Sequence, residues 1–161
     1  MAINKGKAFE AIFKADWKKS FPKGTIDRLY DQVSGYKTIS NISDFLGYNY
    51  PFIYYLECKS HKGGTWNFDN LTQYDKLCTK IGIKGVMAGV VLWMIERDLI
   101  VYLPITTIKK MKEDGLKSFN VKNYFTNPEE YDIIKVPSIK KRVFMQSDYR
   151  ILNDWAEKHC L

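Results

Sequence analysis

The chain is poor in the residues that build soft-metal and disulfide sites. Its three cysteines, Cys58, Cys78 and Cys160, show no CxxC spacing. That removes zinc ribbons and disulfide scaffolds and fits a reducing compartment. Two histidines, His61 and His159, are too few and too far apart in sequence for a histidine-based metal site. Any metal must therefore be held by oxygen. No stretch of about 20 apolar residues occurs, which excludes a membrane-spanning helix. The longest apolar run, residues 86–95, is strand-sized, and the first residues carry no signal-peptide core. A soluble protein that stays in the cytoplasm is the expectation. Repeats and low-complexity linkers are also missing.

What is present suits one globular domain. The 161 residues are 45% apolar, 27% charged and 15% aromatic, which is enough to fill a single core. Charge is unbalanced, with a formal net charge of +7. Residues 1–30 hold seven basic groups against three acids, and residues 133–147 hold four basic groups and no acid. Clusters of this kind suit a phosphate backbone, because each neutralised phosphate releases counterions; a merely solubilising surface is the alternative. Only 4 of the 25 basic residues are arginine, which favours contacts to backbone over base edges.

Periodicity predicts a first helix over residues 6–19, with Phe9, Ile12, Phe13 and Trp17 on one apolar stripe. Pro22 and Gly24 end it. A short strand follows at 25–30, then a loop, then strands at 42–46 and 52–59 joined through the turn-rich residues 47–51. Asp69 or Asn70 opens a second helix reaching about residue 81, with Leu71, Tyr74, Leu77, Cys78 and Ile81 on its buried face and Gly82 as its stop. The run 86–95 reads as a central strand buried on both faces, and residues 96–98 turn it into a strand at 99–103. A helix over 106–114 stops at Gly115, residues 133–136 form an edge strand, and Ser147 caps a last helix. This order predicts an α/β fold with a mixed central sheet flanked by helices. The expected organisation is one domain over 1–161, with a core at about 4–120 and a helical extension at about 121–161.

The chemistry concentrates at Asp44 and at Glu57-Cys58-Lys59. Strand alternation puts Glu57 and Lys59 on one face, about 6.5–7 Å apart, with Cys58 turned into packing. A hairpin returns Asp44 to the side of Glu57. Two adjacent carboxylates repel, and a hard divalent cation resolves that conflict. Lys59 is then placed to orient or deprotonate an attacking water and to stabilise charge on a phosphate. The plain alternative is an exposed Glu57–Lys59 surface pair with Asp44 in a turn. The apolar residues 52–56 speak against a fully exposed strand.

The segments Ser43-Asp44-Phe45-Leu46-Gly47, Tyr55-Leu56-Glu57-Cys58-Lys59, Thr65-Trp66-Asn67-Phe68 and Gln73 together resemble the PD-(D/E)XK nuclease core. More narrowly they resemble RecU-type Holliday junction resolvases. Residues 4–10 resemble that family's opening helix, whose glutamate joins the site, and residues 102–104 through 115–118 resemble its C-terminal half. The Asp44–Glu57 gap and an early-helix Glu10 also resemble the archaeal junction resolvases. The resemblance implies a restriction-endonuclease-like core and a Mg²⁺-dependent endonuclease, with Mn²⁺ able to substitute, that resolves four-way DNA junctions by paired nicks. It further implies Asp44 and Glu57 as metal ligands, Glu10, Lys59 and Gln73 as further catalytic groups, and a homodimer, since two symmetric nicks need two sites. Ser43 stands where the named motif has proline, and Cys58 where RecU-type proteins often have alanine. Only 13 residues separate Tyr30 from Asp44, where RecU-type enzymes carry a long stalk implicated in junction binding. A compact, phage-encoded relative acting in the bacterial cytoplasm is the corresponding expectation. A restriction or repair nuclease on duplex DNA, or a non-catalytic branched-DNA-binding protein, is the alternative.

Each supporting residue has a second reading. Glu10 is a site acid or the i+4 partner of Lys14. Gln73 reaches the site or DNA, or is a solvent-facing helix former. His61 shares the face of Lys59 and contacts phosphate, or is a loop residue. Trp66 and Phe68 pack in the core in preference to stacking on bases, and Asp27 is structural. The expected phosphate contacts are Lys5, Lys7, Lys14, Lys62, Lys140, Lys141 and Arg142.

Overall fold

The computed structural model describes residues 4–126 and 129–159; Cys160 lies outside them. Helix α1 (Lys5–Ser20) starts where the Asn4 side chain accepts the Lys7 N–H at 3.2 Å, an N-cap that satisfies one free donor of the first turn. Phe9, Phe13 and Trp17 repeat every four residues and are buried, while Ile12 is only half-buried at the margin of the stripe. Lys18 and Lys19 in the last turn complement the negative end of the helix.

Strands β1 (Thr25–Arg28), β4 (Phe45–Asn49), β5 (Phe52–His61), β7 (Val86–Met94), β8 (Leu99–Pro104) and β10 (Ile134–Lys135) form one sheet in the order β1-β4-β5-β7-β8-β10. The β5–β7 pair is parallel, and all its neighbours are antiparallel. This is the expected mixed sheet. The run at 86–95 is its central strand, with every residue of β7 after Val86 buried. Gly89 is required there: a Cβ would lie 2.5 Å from the Leu103 carbonyl oxygen and 2.7 Å from the Tyr102 ring. Gly47 does the same for helix packing, since a Cβ would meet the Trp17 indole at 2.9 Å.

Each face of the sheet carries its own core. On one side α1 packs with Phe45, Tyr54, Cys58 and Trp93, closed by Met145, Tyr149, Leu152 and Ala156 from the C-terminal segment. On the other, Val90, Leu92, Val101 and Leu103 pack against Trp66, Phe68, Leu77, Ile108 and Phe119. Helix α3 (Ile105–Glu113) covers this second face and stops before Gly115, whose φ is +89°. Among the described residues no helix is long and apolar enough to cross a membrane.

Several expected boundaries move. The strand expected at 42–46 is β4, three residues later, because β1 pairs with 45–48 and leaves residues 42–44 outside the ladder. The helix expected over 69–81 is broken. Residues 68–70 form a 3₁₀ turn, and α2 (Tyr74–Cys78) is only five residues long. Leu71 and Leu77 are buried as expected, but polar turns occupy the rest. The loop after β1 contains a hairpin, β2 (Gln32–Ser34) and β3 (Lys37–Ile39), whose six strand residues are all exposed. Strand β6 (Thr65–Asn67) pairs with β9 (Ser118–Asn120), and a short helix α4 (Val121–Thr126) follows. The segment after residue 120, expected to be helical, also holds β10 and a hairpin of β11 (Ser138–Lys140) and β12 (Met145–Ser147) before α5 (Arg150–His159). Ser147 lies in β12, where its hydroxyl meets that of Ser138 at 2.8 Å. It is Asp148 that accepts the Arg150 N–H at the start of α5.

Candidate active site

The β4–β5 register sets the geometry. Phe45 pairs with Leu56, so Asp44 stands opposite Glu57, one step before the ladder begins. In place of a strand rung, side chains and main chain exchange bonds. The Asp44 N–H donates to Glu57 Oε2 at 3.0 Å, and the Cys58 N–H donates to Asp44 Oδ2 at 2.9 Å. Both carboxylates are thereby oriented by backbone. Glu57 is 2% exposed, so its charge sits in a poorly solvated place. Lys59 projects on the same face and approaches Glu57 Oε1 at 3.4 Å. Cys58 turns to the α1 side of the sheet, where burial pushes its thiol well above the usual range.

Glu10 arrives from α1, and its partner is Arg28 of β1, not Lys14. The Arg28 guanidinium donates from Nε to Glu10 Oε2 at 3.1 Å and lies 3.3 Å, through Nη2, from Asp44 Oδ1. Its Nη1 donates to the carbonyl oxygens of Leu29 and Asp44, tying the end of β1 to the start of β4. Arg28 thus bridges two acids brought from separate segments. It is a site residue that local pattern does not reveal. The available signal is its rarity, as one of four arginines, at the end of a strand pairing with the one that follows Asp44.

The electrostatics record crowding of negative charge. Burial, and then the neighbouring Asp44, push the Glu57 carboxyl up to about 7 despite the opposing pull of Lys59. Glu10 is also raised, first by burial and then by Asp44, with Arg28 and Lys59 pulling the other way. Such mutual perturbation is typical of sites arranged for chemistry or for a missing cation. Among the described residues no three His, Cys, Asp or Glu side chains form a ready metal cage. Asp44 and Glu57 are the two adjacent hard-oxygen donors. Such a pair fits an ion that keeps several waters and takes further oxygens from a substrate.

Gln73, which immediately precedes α2, accepts a hydrogen bond from the Thr72 hydroxyl at 3.0 Å. It lines a small cavity of about 120 Å³ together with Arg28, Tyr30, Asn41 and Asp44. A larger cavity of about 600 Å³ sits beside Val86 and Met87, near Trp155 and His159. Those strand positions pair with Ile53 and Tyr54, well before Glu57, so it is separate from the charged cluster. Trp66 and Phe68 are buried in the second core, and Asp27 is exposed on β1.

The basic residues fall in separate places. Lys5 and Lys7 lie at the α1 start, where Gly6 neighbours Ser60, and Lys14 lies one turn beyond Glu10. Lys62 is exposed just past β5. Lys141 and Arg142 are exposed between β11 and β12, whereas Lys140 is ion-paired to Asp98.

No protein-family model and no curated protein sequence matches the chain. Among solved structures the fold is similar to Hjc from Archaeoglobus fulgidus, a Holliday junction resolvase from an archaeal hyperthermophile. The TM-score is 0.50 at 17% identity, over 75% of this chain and 93% of that one. The chain therefore shares the mixed α/β fold of that protein, a central sheet flanked by helices.

Proposed function

We propose that this protein is a divalent-metal-dependent, structure-selective DNA endonuclease that resolves four-way junctions by paired nicks as a homodimer. The observation that carries the reading is the meeting of Glu10, Asp44, Glu57 and Lys59 from three distant segments at one point of an Hjc-like sheet. Crowded carboxylates beside a single ammonium make a poor structural device and a good hydrolytic one. The likeness to an archaeal resolvase supports junction resolution generally; the RecU-type assignment rests on the sequence resemblance alone.

In this reading Asp44 and Glu57 hold Mg²⁺, or Mn²⁺ in its place, which when bound supplies Lewis-acid polarisation of a phosphoryl oxygen. The Lys59 ammonium orients the attacking water and balances charge building on the phosphate. Glu10 accepts a proton from, or positions, that water. Arg28 keeps Glu10 and Asp44 aligned through its two contacts, and Gln73 faces the same cleft. The β2–β3 hairpin projects beside this cleft with Tyr30, Val33, Tyr36 and Ile39 exposed, a group of apolar side chains suited to unstacked bases at a branch point. Net positive charge, with Lys5, Lys7, Lys14, Lys62, Lys141 and Arg142 exposed or half-exposed, supports binding of the flanking arms.

The test is incubation of a synthetic four-way junction and a linear duplex with the protein, with and without Mg²⁺, alongside Glu57→Ala. Metal-dependent symmetric cutting of the junction is expected, lost in the variant while junction affinity remains. Equal cutting of both substrates reduces the protein to a duplex nuclease. Tight binding without any cutting reduces it to a binding module.

A further inference from the structure

Beyond Lys59 the end of β5 leads into a turn, residues 62–64, that combines two adjacent glycines with an imidazole and a guanidinium. A Cβ at Gly63 would lie 3.3 Å from His61 Nε2. One at Gly64 would lie 3.1 Å from Arg97 Nη2 and 3.9 Å from its Cζ. The imidazole and the guanidinium therefore rest close against glycine backbone. The turn is held from behind: the Gly64 carbonyl accepts the Val121 N–H at 3.0 Å, and Thr65 pairs with Asn120. Arg97 ends the 3₁₀ turn at Ile95–Arg97 that follows β7, and Asp98 then adopts a left-handed conformation. Of the two acids flanking it, Asp98 is ion-paired to Lys140 and Glu96 forms no ion pair with it, and Arg97 has no ion-pair or hydrogen-bond partner among the described residues. Lys62, two residues before Gly64, is exposed and makes no ion pair among the described residues.

We propose that this turn and Arg97 form a phosphate clamp for the backbone of duplex DNA, separate from the cleavage centre. The inference rests on the nuclease reading above. An exposed guanidinium lying against glycine backbone without an ion-pair partner is a donor fork open to a phosphodiester oxygen. The two glycines let a strand approach the main chain closely, and Lys62 adds a second positive charge. Four residues of extended strand, about 13 Å, separate Glu57 from His61. That is on the order of four phosphates along one strand of B-DNA. The clamp therefore grips the duplex arm a few nucleotides from the bond that is cut, without reading sequence.

The experiment measures binding of a labelled linear duplex and a labelled four-way junction in EDTA, as a function of salt, for the parent, Arg97→Gln, Arg97→Lys and Gly64→Ala. Removing one phosphate contact weakens binding by about fivefold to tenfold near 0.1 M salt and lowers the salt slope by about 0.9. Arg97→Gln does this on both DNAs, and Arg97→Lys restores most of the slope. Gly64→Ala keeps the slope, because its new methyl shifts the end of the Arg97 side chain by only a few tenths of an ångström and leaves the charge in place. Thermal melts stay at the parent value. Parent-like affinity and slope in Arg97→Gln, in a protein that binds and cuts DNA, overturn the clamp and leave the nuclease reading standing. A parent that binds neither DNA overturns both.

Discussion

Replacing Arg28 by methionine keeps the stem of the side chain and removes the cation between Glu10 and Asp44. Three things are lost: a charged contact at 3.1 Å, another at 3.3 Å, and donation to main-chain oxygens at the start of β4. The side chains are 26%, 26% and 15% exposed for Arg28, Glu10 and Asp44, so solvent screens part of each contact. Hydrogen bonds to charged groups contribute about 1.5–3 kcal/mol when buried and exposed pairs about 0–1, which puts the combined loss at roughly 2–3 kcal/mol. For a domain of this size that lowers Tm by roughly 4–12 °C. The assay is a thermal melt in EDTA at pH 7.5. Adding Glu10→Gln to the variant restores part of the loss, since one uncompensated carboxylate disappears. Mg²⁺ raises the Tm of the Arg28 variant more than that of the parent, because a cation then serves a more negative site. An unchanged melt in EDTA refutes the bridging role, and equal Mg²⁺ responses refute the link between Arg28 and metal.

Three further outcomes follow from the same geometry. Glu57 is raised from 4.5 to about 7 in the fold; the native state binds this proton more tightly than the unfolded chain, so metal-free stability falls as pH rises from about 4.5 to 7. The fall is on the order of 3 kcal/mol, and Glu57→Gln flattens it in urea titrations taken across that range; a parent curve already flat there contradicts the burial argument. Asp16 is buried and accepts the Ser147 N–H at 2.9 Å, with burial raising its carboxyl. Asp16→Ala orphans that donor and loses about 1–3 kcal/mol. Asp16→Asn keeps the acceptor and loses less, its relative advantage growing as pH rises above the usual carboxylate range, a comparison that chemical denaturation makes directly. Gly89→Ala forces a methyl to 2.5 Å from a backbone oxygen in the central strand pair; overpacking of that kind costs about 1–3 kcal/mol or more, visible as a lowered Tm.

Elements that bury one continuous face were legible in the chain because their period survives any tertiary context. Phe9, Phe13 and Trp17 define α1, and the unbroken run at 86–95 defines the strand buried on both faces. The ExK triplet placed Glu57 and Lys59 together for the same reason, since alternation is a property of the strand itself. The second helix failed as an expectation because its apolar spacing marks where side chains meet the core, and not whether the backbone between them is helical. The β2–β3 hairpin has short strands whose exposed residues leave no hydrophobic pattern, and the three-residue strands of β11–β12 are too short to show one.

From the amino-acid order alone came the α/β class, the charge excess and the pairing of Glu57 with Lys59, all set by neighbours a few residues apart. The folded molecule alone decided that Glu10 turns from Lys14 to Arg28, that Arg28 reaches Asp44, and that Arg97 lies bare against Gly64. Those contacts join residues 16 to 33 positions apart in sequence, and sheet register and helix packing, not local periodicity, determine which side chains meet at that range.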